Sequence, residues 1–126
     1  MIKEIDVPIY NCTVYLLVSP TTKEISKWVD SVKELNFLDK DDIRDLYKWL
    51  GDPEKGCLGQ TMSIYGIYYI ACVRYKNDYD TMAHEIFHVV DKILSERGVE
   101  KGEQGESYAY LIGYITGKVY GQNEKD

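Results

Sequence analysis

Residues 81 to 97, TMAHEIFHVVDKILSER, constrain the fold more than any other stretch of the chain. Ala83, Ile86, Phe87, Val89 and Val90 flank a polar stripe of His84, His88, Asp91 and Ser95 at helical spacing, and Gly98 ends the pattern. A helix apolar over so much of its surface belongs in the body of the domain. The pattern therefore predicts buried histidines along a polar seam, where bare imidazoles would be costly and a metal ion would satisfy them.

The rest of the chain supplies what such a helix packs against. Residues 2 to 18 are rich in β-branched and aromatic types and are broken by Pro8, which reads as one or two strands with the proline at an edge or bend. SPTTKEISKWVDSVKELN opens with Pro20 and capping threonines and carries Ile25, Trp28, Val29, Val32 and Leu35 at helical spacing. DKDDIRDLYKWLGD has an acidic first turn, an apolar stripe of Ile43, Leu46, Tyr47 and Leu50, and an end at Gly51 before Pro53. A hairpin follows, with strands near 57 to 64 and 67 to 76 and a turn at Tyr65 and Gly66. A last helix spans about 104 to 119 and stops before Gly121. The order predicts one α+β domain over residues 1–126, with a small, partly antiparallel sheet.

Composition narrows the function classes. A net charge of -6 without clustered Lys or Arg argues against nucleic acid as a partner. Cys12, Cys57 and Cys72 lack CxxC spacing and are odd in number, so neither a disulfide framework nor a four-cysteine zinc site is expected. No stretch approaches the roughly 18 apolar residues of a membrane helix, and MIKEIDVPIYN has no signal-peptide pattern. The expected setting is the reducing cytoplasm, with no membrane partner.

His84 and His88 are the only histidines, and Glu85 directly follows the first. Residues four apart on a helix differ by about 40° in direction, so the two imidazoles can hold one zinc, while Glu85 points about 100° from His84. There it can take a proton from a water whose pKa the metal lowers to about 7. Two histidines and a glutamate fall into this HExxH pattern by chance in roughly 0.1% of chains of this length. The bland alternative is a pair of structural histidines.

A catalytic zinc takes a third protein ligand. The extended HExxHxxGxxH pattern would put it at Leu94, with Asp91 in the glycine position, so that subclass is excluded. Glu106, in GESYAYLIGYITG, is the best carboxylate, because an antiparallel helix pair would return it toward the histidines; Glu103 competes locally, and Asp91 suits a supporting role. Glu106, Tyr110, Gly113 and Gly117 share one face of the last helix, so the glycines would let it approach the histidine helix closely. Tyr108, Leu111, Ile115 and Val119 form the opposite, core face. Tyr110 is a candidate donor to a developing oxyanion. Cys57, in GCLG, could instead complete a site of one cysteine and two histidines, or be a buried structural thiol.

With His84, Glu85, His88 and the downstream Glu106, the chain resembles the zincin metallopeptidases whose third ligand is a glutamate on a following helix. PIYNCTVYLLV, TMAHEIFHVVDKIL and GESYAYLIGYIT are also similar to short zincin-like proteins of phages and their bacterial hosts. The resemblance implies a minimal zincin-like fold, with an active-site helix and a C-terminal third-ligand helix. It implies one zinc ion per chain held by His84, His88 and Glu106, and hydrolysis of a peptide or protein substrate with Glu85 as general base. The substrate subdomain of larger zincins is absent, which leaves a shallow cleft with IYYIACVRY as its edge strand. A second reading is a zincin-fold binding or structural protein without turnover. A third is a deformylase-like amide hydrolase using Cys57, although Phe87 stands where deformylases carry an aspartate.

Overall fold

The computed structural model describes residues 1–32, 35, 39–51, 59–64, 67–72, 78–99 and 105–121, with the backbone path alone at 59–64. The first two strands are β1 (Ile2–Val7) and β2 (Cys12–Val18), joined by a 3-10 turn over Pro8–Tyr10. Pro8 fixes the first φ of that turn, and Asn11, at φ 50°, closes it by donating its N–H to the Pro8 carbonyl at 3.1 Å. Helix α1 (Thr22–Ser31) starts at a capping box: the Thr21 hydroxyl accepts from the Glu24 N–H at 3.1 Å, and the Glu24 carboxylate accepts from the Thr21 N–H at 3.0 Å. Helix α2 (Lys40–Gly51) begins on a similar exchange between Asp39 and Asp42.

Strands β3 (Gly59–Ile64) and β4 (Ile67–Cys72) then pair antiparallel, and helices α3 (Tyr79–Ser95) and α4 (Gly105–Val119) complete the described chain. The sheet runs β1-β2-β4-β3, with β2 and β4 parallel and the two outer pairs antiparallel. This is an α+β domain with a mixed sheet. No described helix is long and apolar enough to cross a membrane.

Side chains alternate across the sheet and build two cores. Val14, Leu16, Tyr68 and Ile70 meet Met82, Ile86, Val89 and Ile93 of α3 and Leu111 and Ile115 of α4. On the other face Leu17, Tyr69 and Ala71 meet Ile25, Trp28 and Val29 of α1 together with Val32 and Leu35, the whole stripe its spacing predicts. The side chains of Ile43, Leu46, Tyr47 and Leu50 and the turn at Tyr65 and Gly66 lie outside the described residues.

One expectation is corrected. The edge strand beside α3 is β3, whereas β4, expected at the edge, lies between β2 and β3. Every residue of Ile67–Cys72 is buried, because helices cover both faces of β4. Its unbroken apolar run is the pattern of a central strand.

Candidate functional site

Helix α3 carries the histidine pair on an exposed face. The Nε2 atoms of His84 and His88 lie 3.0 Å apart, with the rings edge to face at 79°. Two nitrogens bound to one tetrahedral zinc at about 2.0–2.1 Å would stand roughly 3.3 Å apart, so this pair fits two positions of such an ion. The rings are not in a buried seam, as the sequence led us to expect: the His84 side chain is 67% exposed, and His88 is exposed too. Met82, Ile86, Val89, Val90 and Ile93 fill the core instead, and this turns the polar stripe outward.

Glu85 is the charged residue that does go inside. It is 6% exposed, and its Oε2 lies 4.0 Å from the His84 Nε2. The rotation of about 100° per residue takes it from the open histidine stripe to the flank of the core. Its negative charge is felt at β4: the Cys72 thiol is pushed up to about 12, first by burial and then by the carboxylates of Asp78 and Glu85. A carboxylate is thus fixed at the base of an exposed imidazole pair, within reach of the same space.

The placement of α4 follows from two contacts with α3. The Tyr108 hydroxyl donates to Asp91 at 3.0 Å, and the rings of Tyr79 and Tyr120 meet at 5.4 Å. Twelve residues back along α3, from Asp91 to Tyr79, match twelve forward along α4, from Tyr108 to Tyr120, so the helices are antiparallel in a constant register.

The expected orientation of α4 is half right. Tyr108, Leu111, Ile115 and Val119 are core, but Tyr108 also makes the polar contact with α3, and Glu106, Tyr110 and Gly113 are exposed. A Cβ at Gly113 would meet nothing within 4 Å, so no close approach uses that glycine, while Gly117 is buried. Tyr110 is 56% exposed and stacks on Tyr114, whose hydroxyl donates to the Asp6 carbonyl at 2.7 Å. The structure brings His84, Glu85 and His88 together, and it exposes Glu106 and Tyr110 on the side of α4 opposite its core residues. Among the described residues no group of three or more His, Cys, Asp or Glu side chains is placed to hold a metal ion. Cys57 and Glu103 lie outside the described residues.

Two polar contacts that no sequence pattern signals fix these helices. Tyr108 reads as plain core, yet its hydroxyl sets the level of α4; acceptance by Asp91 and burial of the phenol both raise its pKa, burial more. Arg97, just past α3, donates through Nε and Nη2 to the Tyr10 carbonyl at 3.2 and 2.8 Å and through Nη1 to the Tyr68 hydroxyl at 3.1 Å. The Tyr68 hydroxyl in turn donates to Glu96 at 2.7 Å. No local pattern signals a bond between residues 10 and 97. No family model matches this chain, and neither does any curated protein or solved structure.

Proposed function

We propose that the chain is a minimal zinc-dependent peptidase with a zincin-like fold, in which α3 is the active-site helix and α4 the third-ligand helix. His84 and His88 would hold one zinc ion, with Glu106 as the third protein ligand. The observation that carries this reading is the buried Glu85 carboxylate beside an exposed imidazole pair whose Nε2 atoms converge to 3.0 Å. A structural zinc has no use for such a base.

When bound, the zinc would polarise the scissile carbonyl and acidify water. Glu85 would take the water's proton and pass it to the leaving amine; its position on the core flank keeps it from swinging into solvent. An extended substrate would pair with β3, which is an edge strand among the described residues, through backbone hydrogen bonds. Tyr110 would donate to the oxyanion only if it left its stack on Tyr114.

Glu85→Gln tests the mechanism. It keeps the shape and the histidines, so the variant should retain one zinc per chain and lose about 10²- to 10⁴-fold in hydrolysis of a fluorescence-quenched peptide library. Undiminished turnover would remove Glu85 from the reaction. The exposed position of Glu106, on the side of α4 opposite the buried Tyr108 and Leu111, favours a second reading, a zincin-fold binding protein without turnover. That reading gains if the wild-type protein binds zinc and cleaves no member of the library.

A further inference from the structure

Among the described residues the sheet ends at β1, and no described strand pairs with the side of β1 that faces away from β2. The Met1 ammonium donates to the Val18 carbonyl at 2.9 Å, and the Val18 N–H donates back to the Met1 carbonyl at 2.8 Å. In the antiparallel register with β2 the same exchange then falls to Lys3, Ile5 and Val7. The N–H and C=O groups of Ile2, Glu4 and Asp6 therefore point outward. The Tyr114 hydroxyl marks that direction, since it donates to the Asp6 carbonyl at 2.7 Å and closes the edge there. Ile2 and Glu4 stand beside an open cavity of about 330 Å³, whose lining also includes Tyr15, Glu24, Lys27 and Trp28.

We propose that an extended peptide adds to β1 at Ile2 and Glu4 as a fifth, antiparallel strand and sets a lysine or arginine opposite Glu4. The antiparallel direction is the more stable pairing, and it lets the residue opposite Glu4 exchange two backbone hydrogen bonds with it. Charge selects that residue. Glu4 is exposed and no described cation pairs with it, whereas the Glu24 carboxylate already meets the Met1 ammonium at 3.1 Å. Asp6, the next side chain on the same face of β1, is a second exposed carboxylate. Lys27 is exposed on α1, where its ammonium can turn to solvent. Tyr15 is the cross-strand neighbour of Glu4, and its ring meets that of Trp28 edge to face at 5.5 Å. The stem of a long basic side chain would lie on this aromatic surface while its head reaches the carboxylate. A second copy of the chain fits the edge less well. Antiparallel self-pairing through Ile2 and Glu4 centres on Lys3 or on Glu4, which sets two lysines or two glutamates directly opposite each other. Because β1 and β3 are opposite ends of the sheet, this site is separate from the proposed substrate edge and does not depend on the peptidase reading.

The test is fluorescence anisotropy of a labelled peptide, Thr-Ile-Thr-Lys-Thr-Ile-Thr, which presents the same side chains in both directions, titrated with the whole chain as wild type and as Glu4→Lys. Wild type should bind it about tenfold more tightly than the same peptide with glutamate in place of lysine, because an attraction across one pair becomes a repulsion. Glu4→Lys changes only an exposed side chain and should reverse that preference. A methyl group on the backbone nitrogen of the peptide's lysine should abolish binding, since it removes the hydrogen bond to the Glu4 carbonyl. Equal affinity of wild type for the two peptides, or a preference for lysine that survives Glu4→Lys, would overturn the proposal. Full binding of the N-methylated peptide would overturn it as well, by showing that the strand edge takes no part. So would the absence of any peptide binding; a concentration-dependent dimer in sedimentation would then assign the edge to a second copy.

Discussion

His84 and His88 hold their Nε2 atoms 3.0 Å apart on a helix face open to solvent, while the core is filled from the other side of the same helix. Exposed side chains contribute little to folding, so the pair can be removed without harm to the domain. His84→Ala and His88→Ala should each lose zinc on dialysis. Their metal-free forms should melt within about 3 °C of the metal-free wild type. Elemental analysis beside a thermal melt separates the outcomes: a variant that unfolds would show that the imidazoles carry the fold.

Arg97 closes the far end of α3. Its guanidinium meets the Tyr10 carbonyl with two donors and the Tyr68 hydroxyl and Ile93 carbonyl with a third nitrogen, and it lies 5.9 Å from the ring centres of both tyrosines. Arg97→Ala should cost about 1–2 kcal/mol in urea unfolding at an unchanged m value. Arg97→Lys should recover less than half of that, because a single ammonium cannot copy the planar fork. Full recovery by lysine would reduce the contact to charge alone.

What was legible in the sequence is what a single element decides for itself. Ile25, Trp28 and Val29 all point inward because the period of a helix is local, and His84, Glu85 and His88 lie together for the same reason. What was not legible depends on a second element. Whether the face of Tyr108 or that of Glu106 meets α3 is settled by the Asp91 acceptor, and the inner place of β4 by two neighbouring strands. The histidines were expected inside because the helix is apolar on both flanks. The flanking residues Ala83 and Phe87 proved to be exposed and half-buried, so the outward face is wider than the pattern implies.

Cys72 makes stability depend on alkaline pH. A thiol whose pKa is raised by folding, from 9.0 to about 12, favours the folded state while it stays protonated. That contribution is complete below about pH 9 and is lost as pH climbs toward 12. Tyr68 and Tyr108, both raised by burial and by carboxylate acceptors, act in the same direction from a higher starting value. Cys72→Ala should therefore melt lower than wild type at neutral pH, through the lost packing, yet lose fewer degrees between pH 8 and 10.5. Parallel curves for the two proteins would show that the thiol is not what the alkaline limb reports.

Gly113 gives the sharpest check on which side of α4 faces α3. An exposed glycine inside a helix, with nothing within 4 Å of where a Cβ would stand, leaves the folded state no obstacle to alanine. Gly113→Ala should then stabilise the protein by about 0.5–1 kcal/mol, through the conformational freedom removed from the unfolded chain. Gly98→Ala is the control. It has equally open surroundings but a φ of +75°, so the same substitution there should destabilise by about 1 kcal/mol. A loss at Gly113 comparable to that at Gly98 would mean that the Gly113 face is packed after all, and the face bearing Glu106 and Tyr110 would have to be turned back toward the histidine pair.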